Sequence, residues 1–389
     1  MDPRLIVLAV GMFALGTDSY VMAGVLPQIA VNYGVSIAAA GQMTTVYAVT
    51  FALLSPTIAA LAAAVPRKRM LLSGIVMFVL ANLATAVAPT FAIALLTRVL
   101  AGVGAAMFSP TATGAAAMMV APERRGFALS VVMAGFSAAT ALGSPIGAVV
   151  GGVGDWRWTM VLVSVLGGLS GLGIWAFLAD IPLPPKVTLR QRLAPLADVR
   201  AGLLLMTTLI AMAGTFTVYN YFAVAFDRAI AGDAYVLGGL LAAWGVAGTA
   251  ANLFAGRLID RADARKVVQR LLIALVLVVG TLPFTSAHLW SAAIAVAVWG
   301  GLGWGVLVPQ QHRLVSLAPS IAPVLLGLNT AGTYLGVTTA GVIGAAGVNA
   351  LGAHALGFIG AALIVVALVF SELAARRAAA AQRGSTVQV

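Results

Sequence analysis

Twelve apolar runs of about 20 residues fill almost the whole chain, and that is the length an α-helix needs to cross the ~30 Å hydrocarbon core of a bilayer. The constraint is severe, because backbone in lipid finds no water and must close its hydrogen bonds within each run. Read between Gly, Pro and charged breaks, the predicted spans are Leu5–Ala30, Ala38–Ala64, Met70–Ala88, Phe91–Met119, Phe127–Gly151 and Trp158–Ala179, followed by Ala201–Ala225, Tyr235–Leu258, Val267–Phe284, Leu289–Val308, Val324–Val348 and Leu351–Leu373. Apolar residues make up 61% of the 389 and charged residues 8%, against roughly 25% in soluble domains, so a water-facing globule would have no surface to show. An all-α integral membrane fold follows. The first run continues past Arg4 as far as Pro27, too long for the core of a cleaved signal, and is expected to be the first membrane helix.

A net charge of +11 on a soluble chain would point to nucleic acid, but here the charges fall between the apolar runs. Of 22 basic residues, 19 lie in alternate separators: Arg4; Arg67, Lys68 and Arg69; Arg124 and Arg125; Lys186, Arg190, Arg192 and Arg200; Arg257, Arg261, Arg265, Lys266 and Arg270; Arg313; and Arg376, Arg377 and Arg383. The other separators hold Arg157 and Arg228, and Arg98 stands inside a span. Since basic loops are retained in the cytoplasm, both termini are expected there. A missed or invented helix would scramble this alternation, so it also supports the span count.

The stretch from Asp180 to Arg200, opened by Pro182, Pro184 and Pro185, divides the runs into two sets of six. The expected organisation is a six-helix bundle over 1–180, a cytoplasmic linker over 181–200, a second bundle over 201–374 and a cytoplasmic tail over 375–389. A repeat agrees with this division: the break from Ala60 to Arg69 corresponds to the break from Gly256 to Lys266, 196 residues later. Two facing six-helix repeats with a binding site near the midplane are a known plan for secondary transporters.

Few residues inside the spans carry chemistry. With no cysteine and three scattered histidines, neither thiol chemistry nor a histidine metal site is expected, and no cofactor is implied. No lysine follows a glycine in a phosphate-cradling loop, which disfavours an ATP-driven pump. Asp18 is the sole acid well inside a span, so an intramembrane enzyme lacks the paired groups it would need. Counting 1.5 Å per residue, Asp18 on span 1 and Arg98 on span 4 both fall about 10 Å below the same membrane face, so they meet if the two helices are neighbours. An arginine in hydrocarbon costs at least a few kcal/mol unless it faces a polar cavity or an acid. A carboxyl there is pulled two ways, toward protonation by burial and toward ionisation by a guanidinium. Asp18 and Arg98 are therefore the candidate proton-coupling pair, a role that requires a wet route to the carboxylate. Tyr20, Met22, Tyr47, Met107, Tyr219, Asn220, Trp244, Trp299 and Asn329 are candidates to line an amphipathic cargo cavity, as are Phe108, Tyr221 and Tyr334. Packing is an equal explanation for each of them alone. Trp156, Trp158 and Trp290 are placed like interfacial anchors.

Four motifs carry a family likeness. Span 1 reads Gly16-Thr17-Asp18-Ser19-Tyr20 and continues to Gly24 and Pro27; span 4 opens with Thr97-Arg98 followed by Gly102 and Gly104. Span 5 reads Gly143-Ser144-Pro145-Ile146-Gly147, with Gly151 four residues on, and the loop after span 8 carries Gly256, Asp260, Arg261, Arg265 and Lys266. Together they resemble the major facilitator superfamily, in particular its twelve-span drug:proton antiporter branch, which includes chloramphenicol, sugar and nucleoside exporters. In the first-half copy of the loop, Ala60 replaces the glycine, Ala64 the acid and Val65 the arginine. The resemblance implies two pseudo-symmetric six-helix bundles in a bacterial cytoplasmic (inner) membrane. It implies gating roles for Gly143, Pro145, Gly147 and Gly151 and for Gly256, Asp260, Arg261, Arg265 and Lys266. It also implies proton-coupled export of small amphipathic or apolar molecules, with transport of sugars or nucleosides in either direction as the alternative; a non-transporting sensor or intramembrane enzyme is more remote. The expected partners are a small-molecule substrate, protons and the lipid bilayer, with no nucleic acid, and a monomer is expected.

Overall fold

The computed structural model describes residues 2–61, 65–179, 181, 188–259 and 263–386. Among them are twelve helices long and apolar enough to span a membrane: Pro3–Tyr33, Ile37–Ile58, Arg67–Ala86, Phe91–Met118, Arg125–Val153, Trp156–Phe177, Val199–Tyr219, Ala234–Ala255, Ala264–Thr285, Leu289–Leu317, Pro319–Leu351 and Ala353–Ala378. They are called spans 1 to 12. The described residues contain no strand.

Much of the scarce acid starts helices. Asp2, Asp155, Asp198 and Asp263 each accept a backbone N–H at the N-terminus of spans 1, 6, 7 and 9, and Asp233 does so at span 8. A carboxylate there satisfies an orphan donor and faces the positive end of the helix dipole. Span 1 closes on Gly34, whose left-handed φ of 62° lets its N–H return to Ala30 and Val31.

Three helices depart from the uniform runs expected of them. Span 7 stops at Tyr219, not Ala225, and the chain continues as short turns over Phe222–Ala225 and Asp227–Ile230. The break is held from span 11, where the Asn220 amide donates to the Val337 carbonyl at 3.3 Å and the Tyr221 hydroxyl to Gly341 at 3.0 Å. Span 10 continues past Val308 as a second segment, Leu307–Leu317, so Arg313 lies within helix; Pro309 falls in the segment's first turn, where a missing N–H is tolerated. Span 5 carries a wide π turn over Ala139–Gly143 between Arg125–Ala138 and Ser144–Val153. Pro145 cannot donate to the turn before it, and a widened turn takes up that slack.

Spans 1–6 pack on one another, as do spans 7–12, and two long seams join the sets: span 2 on span 11 and span 5 on span 8. Twelve crossings put both chain ends on one face, here called the terminal face; the opposite one is the distal face. The close approaches between the sets run from mid-span toward the distal face. The ideal Cβ of a side chain at Gly152 would stand 2.4 Å from the Ala234 Cβ, at Gly238 2.6 Å from Val149, and at Gly245 2.0 Å from the Thr140 carbonyl oxygen. On the other seam, the Phe51 and Tyr334 rings lie 4.0 Å apart and Gly341 abuts Thr45.

Candidate functional site

Asp18 comes from the middle of span 1 and Arg98 from the second turn of span 4, and the two helices bring them together. An Arg98 terminal nitrogen donates to Asp18 Oδ1 at 2.7 Å and to Asn82 Oδ1, on span 3, at 3.0 Å. The guanidinium also stands over the Tyr47 ring of span 2, 4.8 Å from its centre, a contact worth about 2 kcal/mol when desolvated. Both charged residues are 0% exposed. The set is incomplete: Asp18 Oδ2 and Arg98 Nε and its second terminal nitrogen are buried without hydrogen-bond partners among the described residues. Unlike the wet route expected, the carboxylate itself touches no solvent. Next to it, Ser19 is partly exposed and donates to the Tyr47 hydroxyl at 3.4 Å.

Behind span 1 lies an aromatic cluster drawn from both halves. Tyr20 contacts the rings of Phe136, Phe216, Tyr219, Trp244 and Trp304 at 5.7 to 6.4 Å. Tyr219 packs 4.4 Å from Trp244, and Trp299 closes the far side at 5.8 Å from Trp244. The Tyr219 hydroxyl donates to the Tyr20 carbonyl at 3.3 Å and lies 3.3 Å from Ser144 Oγ, tying spans 1, 5 and 7 together. The indole nitrogens of Trp244, Trp299 and Trp304 are buried without partners among the described residues, as is Asn252 Oδ1. A crevice beside the cluster is lined by Phe136, Ser137, Thr140, Thr249, Asn252 and Trp304. Unpaired donors on an apolar wall suit a ligand that brings its own acceptors.

The candidate cargo residues therefore separate. Tyr20, Tyr219, Trp244 and Trp299 converge on the cluster. Tyr47 belongs to the charge pair. Asn220 and Asn329 bind span 7 to span 11, Asn329 through Thr208 at 2.7 Å. Met107 packs against Gly74 of span 3, and Met22 is buried in the core. Of the aromatic anchors, Trp158 and Trp290 are exposed, but Trp156 is buried against Tyr33. Asn82, Phe136, Phe216 and Trp304 were not singled out from sequence. Asn82 carried a usable signal, because an amide inside an apolar run needs a partner. The π turn had none beyond Pro145.

The gating motifs have defined neighbours. Gly143, Gly147 and Gly151 meet Thr17, Val21 and Val25 of span 1, two ridges in the same four-residue register. Gly151 and Gly147 also face Thr159 of span 6, whose hydroxyl donates to the Gly147 carbonyl at 2.8 Å. Pro145 lies at the span 8 seam, its carbonyl oxygen 3.3 Å from where a Cβ on Gly238 would sit. Gly256 lies in the helix that begins at Ala234, whereas Asp260 and Arg261 fall outside the described residues. Lys266 is exposed. Arg265 pairs with Glu372 of span 12 within the second half. Beside it Arg313 donates to Ser371 Oγ at 2.7 Å and Gln310 to the Leu204 carbonyl at 2.7 Å, so spans 7, 9, 10 and 12 are linked near the terminal face.

Twelve apolar helices in two packed sets, with a charge pair and an aromatic cluster enclosed among them, define a multi-pass membrane transporter. The chain belongs to the Major Facilitator Superfamily, whose family model matches residues 8–324. That family consists of transporters, not enzymes. The chain is 33% identical over 276 residues to a chloramphenicol resistance protein of Streptomyces lividans, covering 68% of this chain and 69% of that one. It is 26% identical over 344 residues to YbcL, an uncharacterised MFS-type transporter of Bacillus subtilis (strain 168), covering 88% and 87%. Its fold is similar to the crystal structure of a D-xylose-proton symporter, with a TM-score of 0.77, 14% identity and coverage of 95% and 96%.

Proposed function

We propose that this transporter is a proton-driven exporter of small, largely apolar molecules, working by alternating access in a bacterial cytoplasmic membrane with both termini in the cytoplasm. The observation that carries the reading is the Asp18–Arg98 pair, fully buried yet with Asp18 Oδ2 unpartnered among the described residues. A charge in hydrocarbon is retained at a cost and usually serves ion or substrate movement. Protonation converts the Asp18 carboxylate to a neutral acid and releases Arg98, which keeps Asn82 and the Tyr47 ring. The site thus has two states of different net charge, and alternating access links them to the two faces. The basic separators place the terminal face in the cytoplasm, so the distal closure corresponds to a cytoplasm-facing or closed stage of the cycle. The chloramphenicol resistance relative supports a drug-like cargo, as does the apolar aromatic cluster. Glycines and Pro145 in span 5, with the Arg265–Glu372 pair at the terminal face, are the elements proposed to reshape during the cycle.

The test is flux in proteoliposomes under an imposed pH gradient, with chloramphenicol as the first probe and sugars and nucleosides as parallel arms. Asp18→Asn is expected to abolish the response to the gradient while leaving cargo exchange at equal pH. An undiminished response would remove the coupling role, and accumulation of a sugar or nucleoside instead of chloramphenicol would replace the cargo class.

A further inference from the structure

The Asp18 pair is built wholly from the first half: span 1 supplies Asp18, span 2 Tyr47, span 3 Asn82 and span 4 Arg98. Titration inside one half moves nothing between the halves unless some group of the second half senses it. Tyr334, on span 11, is placed to do so. Its ring lies 4.0 Å from Phe51 of span 2, on the seam between the halves and one helical turn from Tyr47, whose own ring lies under the Arg98 guanidinium; its hydroxyl is hydrogen-bonded with Ser19, the chain neighbour of Asp18. Tyr334 is 9% exposed and Ser19 partly exposed, while Asp18, next to Ser19 in span 1, is 0% exposed. Among the described residues, Arg98 pairs with Asp18 and Tyr47 and Tyr334 are the titratable groups near it, from spans 4, 2 and 11.

We propose that Tyr334 is the positioning residue that gates proton access to Asp18: its ring seals the carboxylate on the span 2–span 11 seam, and withdrawal of span 11 opens it. The inference rests on Asp18 being the coupling group. The proton passes to Asp18 Oδ2, the unpartnered oxygen, and breaks the contact with Arg98. Because Tyr334 belongs to the opposite half, opening of that seam and exposure of Asp18 become one event. Protons then reach the site from one face at a time.

The test needs no cargo. Purified protein is reconstituted into vesicles, and decay of an imposed pH gradient is followed with an internal dye, potassium and valinomycin clamping the potential. Tyr334→Ala is expected to raise proton leak several-fold over wild type, and adding Asp18→Asn is expected to return it to the wild-type rate. Tyr334→Phe keeps the ring and is expected to remain tight, while shifting the midpoint of the Asp18 carboxyl band in infrared titration. A leak no greater than wild type in Tyr334→Ala, or one that survives Asp18→Asn, overturns the gate. If wild-type Asp18 titrates normally in that case, the coupling reading stands and only the gate falls. If the wild-type carboxyl band does not titrate at all, both fall.

Discussion

The charge pair shows at single residues how much depends on completeness. Removing one member of a buried ion pair leaves the other uncompensated, which costs about 3–5 kcal/mol, whereas replacing both with apolar residues of similar volume can be close to neutral. Arg98→Met is therefore expected to lower the thermal unfolding temperature in detergent markedly, and Arg98→Met combined with Asp18→Leu to recover much of it. A double variant destabilised by the sum of the two single variants would mean that the pair carries no coupling energy. Asp18 and Arg98 were legible in the sequence because a lone acid and a lone base inside apolar runs stand out, and helix rise set them at matching depth. Asn82 was legible only as an amide that needs some partner, and Tyr47 only as one aromatic among many; the packing of spans 2 and 3 against span 4 is what aimed them at the guanidinium.

Among the elements, span 5 is the most informative. Its glycines at 143, 147 and 151 sit on the Thr17, Val21 and Val25 ridge of span 1, so their absent side chains set the helix separation. A Cβ at position 147 would lie 2.5 Å from the nearer Val21 methyl. Gly147→Ala is expected to destabilise by about 1–3 kcal/mol, as overpacking does, and Gly147→Ala with Val21→Ala to regain part of the loss. Gly168→Ala, with nothing within 4 Å of the added carbon, serves as the control and should be neutral or slightly stabilising. Thermal melts of the four proteins decide the matter. The spacing of the glycines and the register of a small-residue face were readable in advance. Their partner helix was not, and neither was the π turn, because helix geometry yields locally to neighbours that the sequence of span 5 does not contain.

Across the whole molecule, the close contacts between the halves lie between mid-span and the distal face, so the state described is sealed there. The chain has no cysteine, which makes cross-linking direct. Gly238→Cys paired with Val149→Cys, on the same seam, is expected to form a disulfide under mild oxidation and to stop cargo flux, with recovery on reduction. Free cross-linking without loss of transport would show that this contact does not open in the cycle. Hydropathy and charge alone determined the crossings and the even count, because lipid forces every buried backbone to satisfy itself locally and basic side chains avoid translocation; those are properties of each segment in its solvent. Which helix faces which, where span 7 breaks and which side chains surround the buried carboxylate are set by contacts between residues far apart in the chain. Only the packed structure decided those, because lipid is as apolar as the side chains it surrounds and hydrophobicity therefore gives helices no preferred neighbour.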